Sequence, residues 1–279
     1  MGETVIINRI CRIQEKITMS RLRYYLSSIL TLFLGIQNWL LMLAVFLGLP
    51  VKRPVLIRLR NGLSYYARSA MDIWVIKEAV LDRDYERLGV PLQDGWTVFD
   101  IGAGLGDFTI ATAHQHPTSR VYGFEPFPES FALLCENLSL NKVNNVQVFP
   151  HAIGGSAGTL HLKTGTGVAV KHSTAQTISD PGSVAVESKT LAQVFADLGI
   201  TRCDFLKMDC EGAEYDILMK CAPETLQRIL HICMEYHNGI TEFSGEQLAN
   251  FLRQHGFSVW LTPNPVHAEI GFLYAARGA

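Results

Sequence analysis

The chain has 279 residues, 48% of them hydrophobic and 18% charged, which supplies a sizeable core and argues against wholesale disorder. Its formal net charge of -2 lacks the basic footprint that phosphate backbones select, so no nucleic-acid partner is expected. Six cysteines (Cys11, Cys135, Cys203, Cys210, Cys221, Cys233) contain no CxxC pair and the histidines no HExxH. Reduced thiols in a cytoplasmic protein are therefore expected, with no metal site demanded by spacing.

Basic residues come early, at Arg9, Arg12, Lys16, Arg21 and Arg23, and again at Lys52, Arg53, Arg58 and Arg60. Between them residues 24–51 carry no charge, a length that can cross a bilayer as one helix. Gln37 and Asn38 near its centre oppose a pure span, and Ser27, Thr31, Gly35 and Asn38 share one face at helical spacing, suited to close packing in lipid or on the protein body. No small-x-small cleavage site follows, and bases at both ends leave the orientation open. Two readings stand: contact with a membrane through residues 24–51, or a helix docked on the domain.

Next, "PVLIRLRNGLSYYAR" reads as two short strands joined by an Asn61-Gly62 type I′ turn. "MDIWVIKEAVLDRDYERLG" reads as a helix with Ile73, Ile76, Val80 and Leu81 on one stripe, ended by Gly89-Val90-Pro91. This divides the chain into a hydrophobic helical segment (1–50), a hairpin and helix cap (51–91) and a main domain (92–279).

From Trp96 strands and helices alternate: "WTVFDIG", "DFTIATAHQHP", "SRVYGFEP", "PESFALLCENLSLNK", "NVQVFP". That rhythm predicts a parallel sheet with helices on both faces and a ligand at the carboxyl ends of the strands. The first strand runs into Asp100, Ile101, Gly102, Ala103, Gly104, Leu105 and Gly106, a turn that lets backbone N–H groups approach a ligand. A dinucleotide fingerprint needs G-x-G-x-x-G; here the third glycine comes one residue early and Asp107 takes its place. The loop resembles the D-x-G-x-G-x-G of class I S-adenosylmethionine-dependent methyltransferases. The second strand ends at Glu125-Pro126, where an acid can accept both hydroxyls of a ribose, a device that nicotinamide enzymes share. After the third, His151 and Ala152 fall where such folds contact adenine.

"KTGTGVAVKHSTAQTISDPGS", residues 163–183, is either a mobile arm over the acceptor pocket or a hairpin insertion with a loose tip. "CDFLKMD" is a fourth strand ending at Asp209, with Lys207 just before it and Glu211 just after. Glu214 and Asp216 fall in the first turns of the following helix, where the dipole favours negative charge. A fifth strand, "RILHICMEYH", brings Glu235 and His237 alongside, and "GFSVWL" and "EIGFLYAAR" supply a final antiparallel pair.

Together "VFDIGAGLGDFT", "FEPFPESFALLCENLSLN", "HAIGGSAGTL", "DFLKMDCEGAEYDIL" and "MEYH" resemble the FkbM-like methyltransferases over roughly residues 96–275, most specifically in the run Lys207 to Glu214. Gly104 departs from the Asn that many relatives carry. The resemblance implies a Rossmann-like α/β class I sheet, mostly parallel, of seven strands with an antiparallel final strand, preceded here by a hydrophobic helix and hairpin. It implies S-adenosylmethionine as cofactor, bound by Asp100, Gly102, Ala103, Gly104, Gly106, Glu125, Pro126, His151, Ala152 and Asp209. It also implies methyl transfer to a hydroxyl of a glycan, glycolipid or small metabolite. Such an acceptor needs a base, for which His237 and Asp209 are the candidates within a wall that includes Glu211 and Glu235, with Lys207 balancing charge. The rivals are an NAD-dependent oxidoreductase and a non-catalytic, membrane-anchored cofactor binder.

Overall fold

The computed structural model describes residues 21–87, 89, 91–163, 169–172, 183–264, 266, 267 and 269–278. Arg9, Cys11, Arg12, Lys16, Val90 and much of the 163–183 segment lie outside the described residues.

The uncharged segment is two helices, α1 (residues 21–35) and α2 (Trp39–Phe46). Its break is held by the strand that follows, β1 (Val55–Arg58): Gln37 N–H donates to the Arg58 carbonyl, and the Asn38 side chain donates to Leu56 and accepts from Arg58. No helix among the described residues is long and apolar enough to cross a membrane. The docked stripe of α1 also differs from the expected one. Ser28, Leu32 and Ile36 are buried, whereas Ser27 is exposed.

Strand β2 (Ser64–Ala67) pairs antiparallel with β1. Their connection is longer than a two-residue type I′ turn: Leu59 N–H reaches the Leu63 carbonyl across Arg60, Asn61 and Gly62, and of these only Gly62 has positive φ. Helix α3 (Ala70–Ile76), capped by the Ser69 hydroxyl, continues as a π-helical turn (Lys77–Asp82) to Arg83, whose φ of 56° ends it before α4 (Asp84–Arg87). The single predicted helix is thus broken by a left-handed residue, which swings Tyr85 inward to 7% exposure.

The alternating half follows as β3 (Thr97–Ile101), α5 (Asp107–Gln115), β4 (Arg120–Phe124), α6 (Pro128–Asn141) and β5 (Val146–Phe149). A small sheet comes next, from β6 (Ala152–Ile153), β7 (Gly158–Lys163), β8 (Ala169–His172) and β9 (Ser183–Lys189), in the order β6-β9-β7-β8. The insertion is therefore built on antiparallel pairing of β7 with β8 and β9; residues 164–168 and 173–182 lie outside the described residues. Then come α7 (Leu191–Asp197), β10 (Cys203–Met208), α8 (Glu214–Met219), α9 (Pro223–Leu226), β11 (Ile229–His237), α10 (Gly245–Gln254), β12 (Ser258–Pro263) and β13 (Ile270–Ala276).

The main sheet has seven strands in the order β12-β13-β11-β10-β3-β4-β5, with β13 antiparallel to both neighbours. Alternate residues face opposite cores: Val98 and Phe205 pack with Ile36, Ile57 and Ile73 of the N-terminal elements, while Phe99 and Leu206 pack with Tyr215, Leu218 and Leu248. The order of connection reverses between β3 and β10, which opens the crevice where ligands bind in such sheets.

Candidate active site

β3 and β10 are adjacent and parallel, with Asp100 opposite Lys207 in register. Both side chains are buried, and Lys207 Nζ lies 2.9 Å from Asp100 Oδ1 while donating to the Gly102 carbonyl at 2.8 Å. The Thr109 hydroxyl donates to the other Asp100 oxygen at 2.6 Å. Burial opposes the lysine's charge, but Asp100, Asp209 and Asp107 more than offset it, so its pKa is raised and it stays an ammonium. The pair sits beneath the glycine loop, and Asp100 is spent on holding that loop.

Gly102 has φ of 77°, and a Cβ there would come within 2.0 Å of the Asp209 carbonyl. A glycine is required because the loop after β10 passes directly against it. At Gly104 φ is 56° and nothing lies within 4 Å of an added Cβ, so Asn, which tolerates left-handed φ, would fit there.

Two cavities meet over this loop. The first, about 310 Å³, is lined by Gly102, Gly104, Phe124, Glu125, Pro126, Phe127 and Ala152, with Leu160 and Leu162 of β7 closing one side. Glu125 accepts from the Gly104 N–H at 2.8 Å and the Phe127 N–H at 2.9 Å. Burial pushes its pKa up to about 7 against the pull of those two N–H groups. Each of its oxygens keeps a lone pair for a ligand hydroxyl. A cavity with apolar walls beside a buried acid and a glycine turn fits the nucleoside and amino-acid parts of S-adenosylmethionine.

The second cavity, about 240 Å³, shares Gly102, Gly104, Asp209 and Glu211 with the first, and adds Glu78, Asp84, Tyr85, Asp107, Lys207 and Glu235. The Tyr85 hydroxyl donates to Asp209 Oδ2 at 2.8 Å. Burial, then Asp209, raise Glu235 to about 9, and burial raises Asp107 to about 7 against Lys207. Burial and Asp209 raise Glu211, with His237 opposing. His237 Nε2 lies 3.6 Å from Glu235 and 3.7 Å from Glu211. Ligand atoms of Asp209, Glu211 and His237 all fall within 4.8 Å of one another, close enough to share one divalent cation. The strand ends had already placed these three residues with Glu235 in one wall, although no ligand spacing in the sequence demanded a metal there; the fold brings their ligand atoms together.

Sequence positions divide accordingly. Gly102, Gly104, Glu125, Pro126, Ala152, Lys207, Asp209, Glu211 and Glu235 line one or both cavities, and His237 stands behind two of the acids. Asp100, Ala103, Gly106 and His151 line neither; Gly106 caps α5, and His151 stacks on Phe149 and faces Glu187 at 3.3 Å. Glu214 and Asp216 lie in the first turn of α8, as expected, and each also holds backbone outside that helix. Glu214 is fully buried and accepts from the Cys210 and Gly212 N–H groups at 2.6 and 2.8 Å, pinning the Asp209–Gly212 turn, and Asp216 accepts from the Gly155 N–H at 2.9 Å. Tyr85 and Glu78 carry no motif because they reach the site from elements distant in sequence, whereas Asp107 directly follows Gly106 at the start of α5.

A family model for the methyltransferase FkbM domain matches residues 100–259. The 31-O-demethyl-FK506 methyltransferase FkbM of Streptomyces tacrolimicus is 30% identical over 80% of this chain and 97% of its own length. Methyltransferase 1 of Beauveria bassiana is 26% identical over 73% of this chain and 89% of its own. The solved methyltransferase FkbM of Methylobacillus flagellatus KT aligns at a TM-score of 0.49 and 15% identity, covering 68% of this chain and 46% of that one. The oxidoreductase and non-catalytic readings fall with the family-model match and the Streptomyces relative. Glycine loop, ribose-side acid, strand order and sequence agree: this chain belongs to the FkbM family of S-adenosylmethionine-dependent methyltransferases.

Proposed function

We propose that the methyl acceptor is a hydroxyl of a glycan, glycolipid or small metabolite, and that Asp209 takes its proton. The observation that carries this reading is the position of Asp209, which faces both cavities while the Tyr85 hydroxyl holds one of its oxygens. When bound, S-adenosylmethionine supplies an electrophilic methyl group on a sulfonium. The first cavity holds that cofactor through Gly102, Gly104, Glu125, Pro126 and Ala152. In the second, Tyr85 fixes Asp209 so that its free oxygen points to the acceptor, and a hydroxyl becomes a competent nucleophile as its proton leaves. Glu211 and Glu235 complete the polar wall and orient the acceptor, with His237 behind them. Lys207 holds the loop through Asp100 and balances the charge of Asp209. An oxygen acceptor agrees with the name of the Streptomyces relative. The protein is further proposed to work at the cytoplasmic side, attached to a membrane through residues 24–51.

Transfer of labelled methyl groups to a panel of hydroxylated acceptors tests the reading. Asp209→Asn is expected to keep cofactor binding and lose about 10²-fold or more in turnover. Full turnover in a variant that binds cofactor normally would remove Asp209 from the role.

A further inference from the structure

The apolar surface of this protein is gathered in one place. Of the fifteen large apolar side chains exposed among the described residues, twelve lie between Leu22 and Leu49, on and around α1 and α2. Leu26, Leu30, Leu34, Leu40 and Leu47 are each 58 to 66% exposed. The inner stripe of α1 is already docked through Ser28, Leu32 and Ile36, so this outer face is spare. Such a cluster is an interaction surface, unlike singly scattered leucines.

Charge identifies the partner. No Asp or Glu occurs between residues 21 and 71, while Arg21, Arg23, Lys52, Arg53, Arg58 and Arg60 are all exposed there, in a chain of net charge -2. An apolar ridge whose own exposed charges are all cationic, with the neighbouring Glu78 held by Tyr24 and Trp74, complements anionic headgroups over acyl chains. A second copy related by a two-fold axis would instead set cations against cations. The described residues of α1, 21–35, extend about 22 Å and the 8 residues of α2 about 12 Å, each short of a bilayer core of about 30 Å, which suits helices lying in the interface.

The same ridge adjoins the second cavity. The Tyr24 hydroxyl of α1 donates to Glu78 at 2.7 Å, as does the Trp74 indole at 2.8 Å, and Glu78 and Val75 form part of that cavity's wall. We propose that α1 and α2 lie flat in the surface of an anionic bilayer and that the acceptor, a lipid-borne hydroxyl compound, enters the second cavity from that surface. The part concerning the acceptor rests on the methyl-transfer reading of the site.

Flotation of the full chain with vesicles of phosphatidylcholine, with and without phosphatidylglycerol, tests the attachment. Binding to the anionic vesicles is expected, weakened by high salt and reduced about tenfold or more by the double substitution Leu30→Glu/Leu34→Glu. The same variant is expected to keep its thermal shift with S-adenosylmethionine, which shows that it folds. No flotation, or flotation that the double substitution leaves unchanged, overturns the proposal. So does a dimer that the double substitution dissociates, which assigns the face to a second copy, and so does flotation that appears only on deleting residues 1–20, which makes that segment the cover. For the acceptor, incubation with a total lipid extract and methyl-labelled cofactor is expected to put label in the organic phase. Label accepted only from water-soluble extracts overturns a lipid-borne acceptor and leaves attachment standing, whereas failure to bind cofactor at all counts against the methyl-transfer reading instead.

Discussion

Asp100 and Lys207 face each other with almost no access to water, so each makes the other's charge tolerable. Removing one partner strands a buried ion, at a typical cost of about 3 to 5 kcal/mol. Lys207→Met is therefore expected to lower the free energy of urea unfolding by that order, and Asp100→Asn with Lys207→Met to recover a large part; a double variant no more stable than the single one would show that the two do not act as a pair. The three-ligand group of Asp209, Glu211 and His237 poses a different question, because a cluster of acids without enough cations suits either a metal or a positively charged cofactor. With proton transfer assigned to Asp209, turnover is expected to survive dialysis against EDTA. Activity lost on dialysis and regained with a divalent cation would make these three side chains ligands. Asp209, Glu211 and His237 were legible as strand-end residues from the apolar runs before them. The inward turn of Glu214 was not, since its reach back to Cys210 and Gly212 depends on a tight turn in which Glu211 adopts φ of 54°.

At the scale of elements, α6 does more than cover the sheet. Asn137 and Asn141, one helical turn apart, bond to the open edge of β2: Asn137 accepts from Tyr66 N–H at 2.7 Å, and Asn141 accepts from Ser64 N–H at 2.9 Å and donates to its carbonyl at 2.7 Å. Asn137 also donates to the Leu105 carbonyl at 2.9 Å, which ties the hairpin to the glycine loop. Asn137→Ala leaves buried backbone groups without partners and is expected to cost about 1 to 3 kcal/mol in urea unfolding while weakening cofactor binding in calorimetry. Unchanged cofactor affinity would separate the hairpin from the loop. The strands and helices of the alternating half follow from sequence because their periods and end signals are local. The break between α1 and α2 does not, because the groups that hold Gln37 and Asn38 lie on β1.

Across the whole molecule, burial holds several acids in their protonated form. Asp107, Glu125 and Glu214 move from ordinary values of 3.8 and 4.5 up to about 7. Between those limits the folded chain binds more protons than the unfolded chain, so by linkage these groups make stability fall as pH rises from about 4 to about 7, and Glu235, raised to about 9, extends the fall to that pH. Urea unfolding at constant ionic strength across that range tests the sign. Stability that rose between pH 5 and 7 would show that burial does not keep these acids protonated.

The sequence by itself determined the class of fold, the glycine loop, the acid after the second strand and the family, because each is written in contiguous residues whose spacing maps directly onto a strand end or a turn. Tertiary structure alone decided which charges meet. Tyr85 and Asp209 are 124 positions apart, and Asp100 reaches Lys207 only because β3 and β10 are neighbours at the reversal of strand order. Strand order is set by the packing of whole elements, and no local period records it. The same holds for the uncharged segment, whose composition allowed a span or a docked helix. It is the burial of one stripe and the exposure of the other, fixed by contacts with β1 and the first turns of α3, that leaves an apolar ridge lying along the surface.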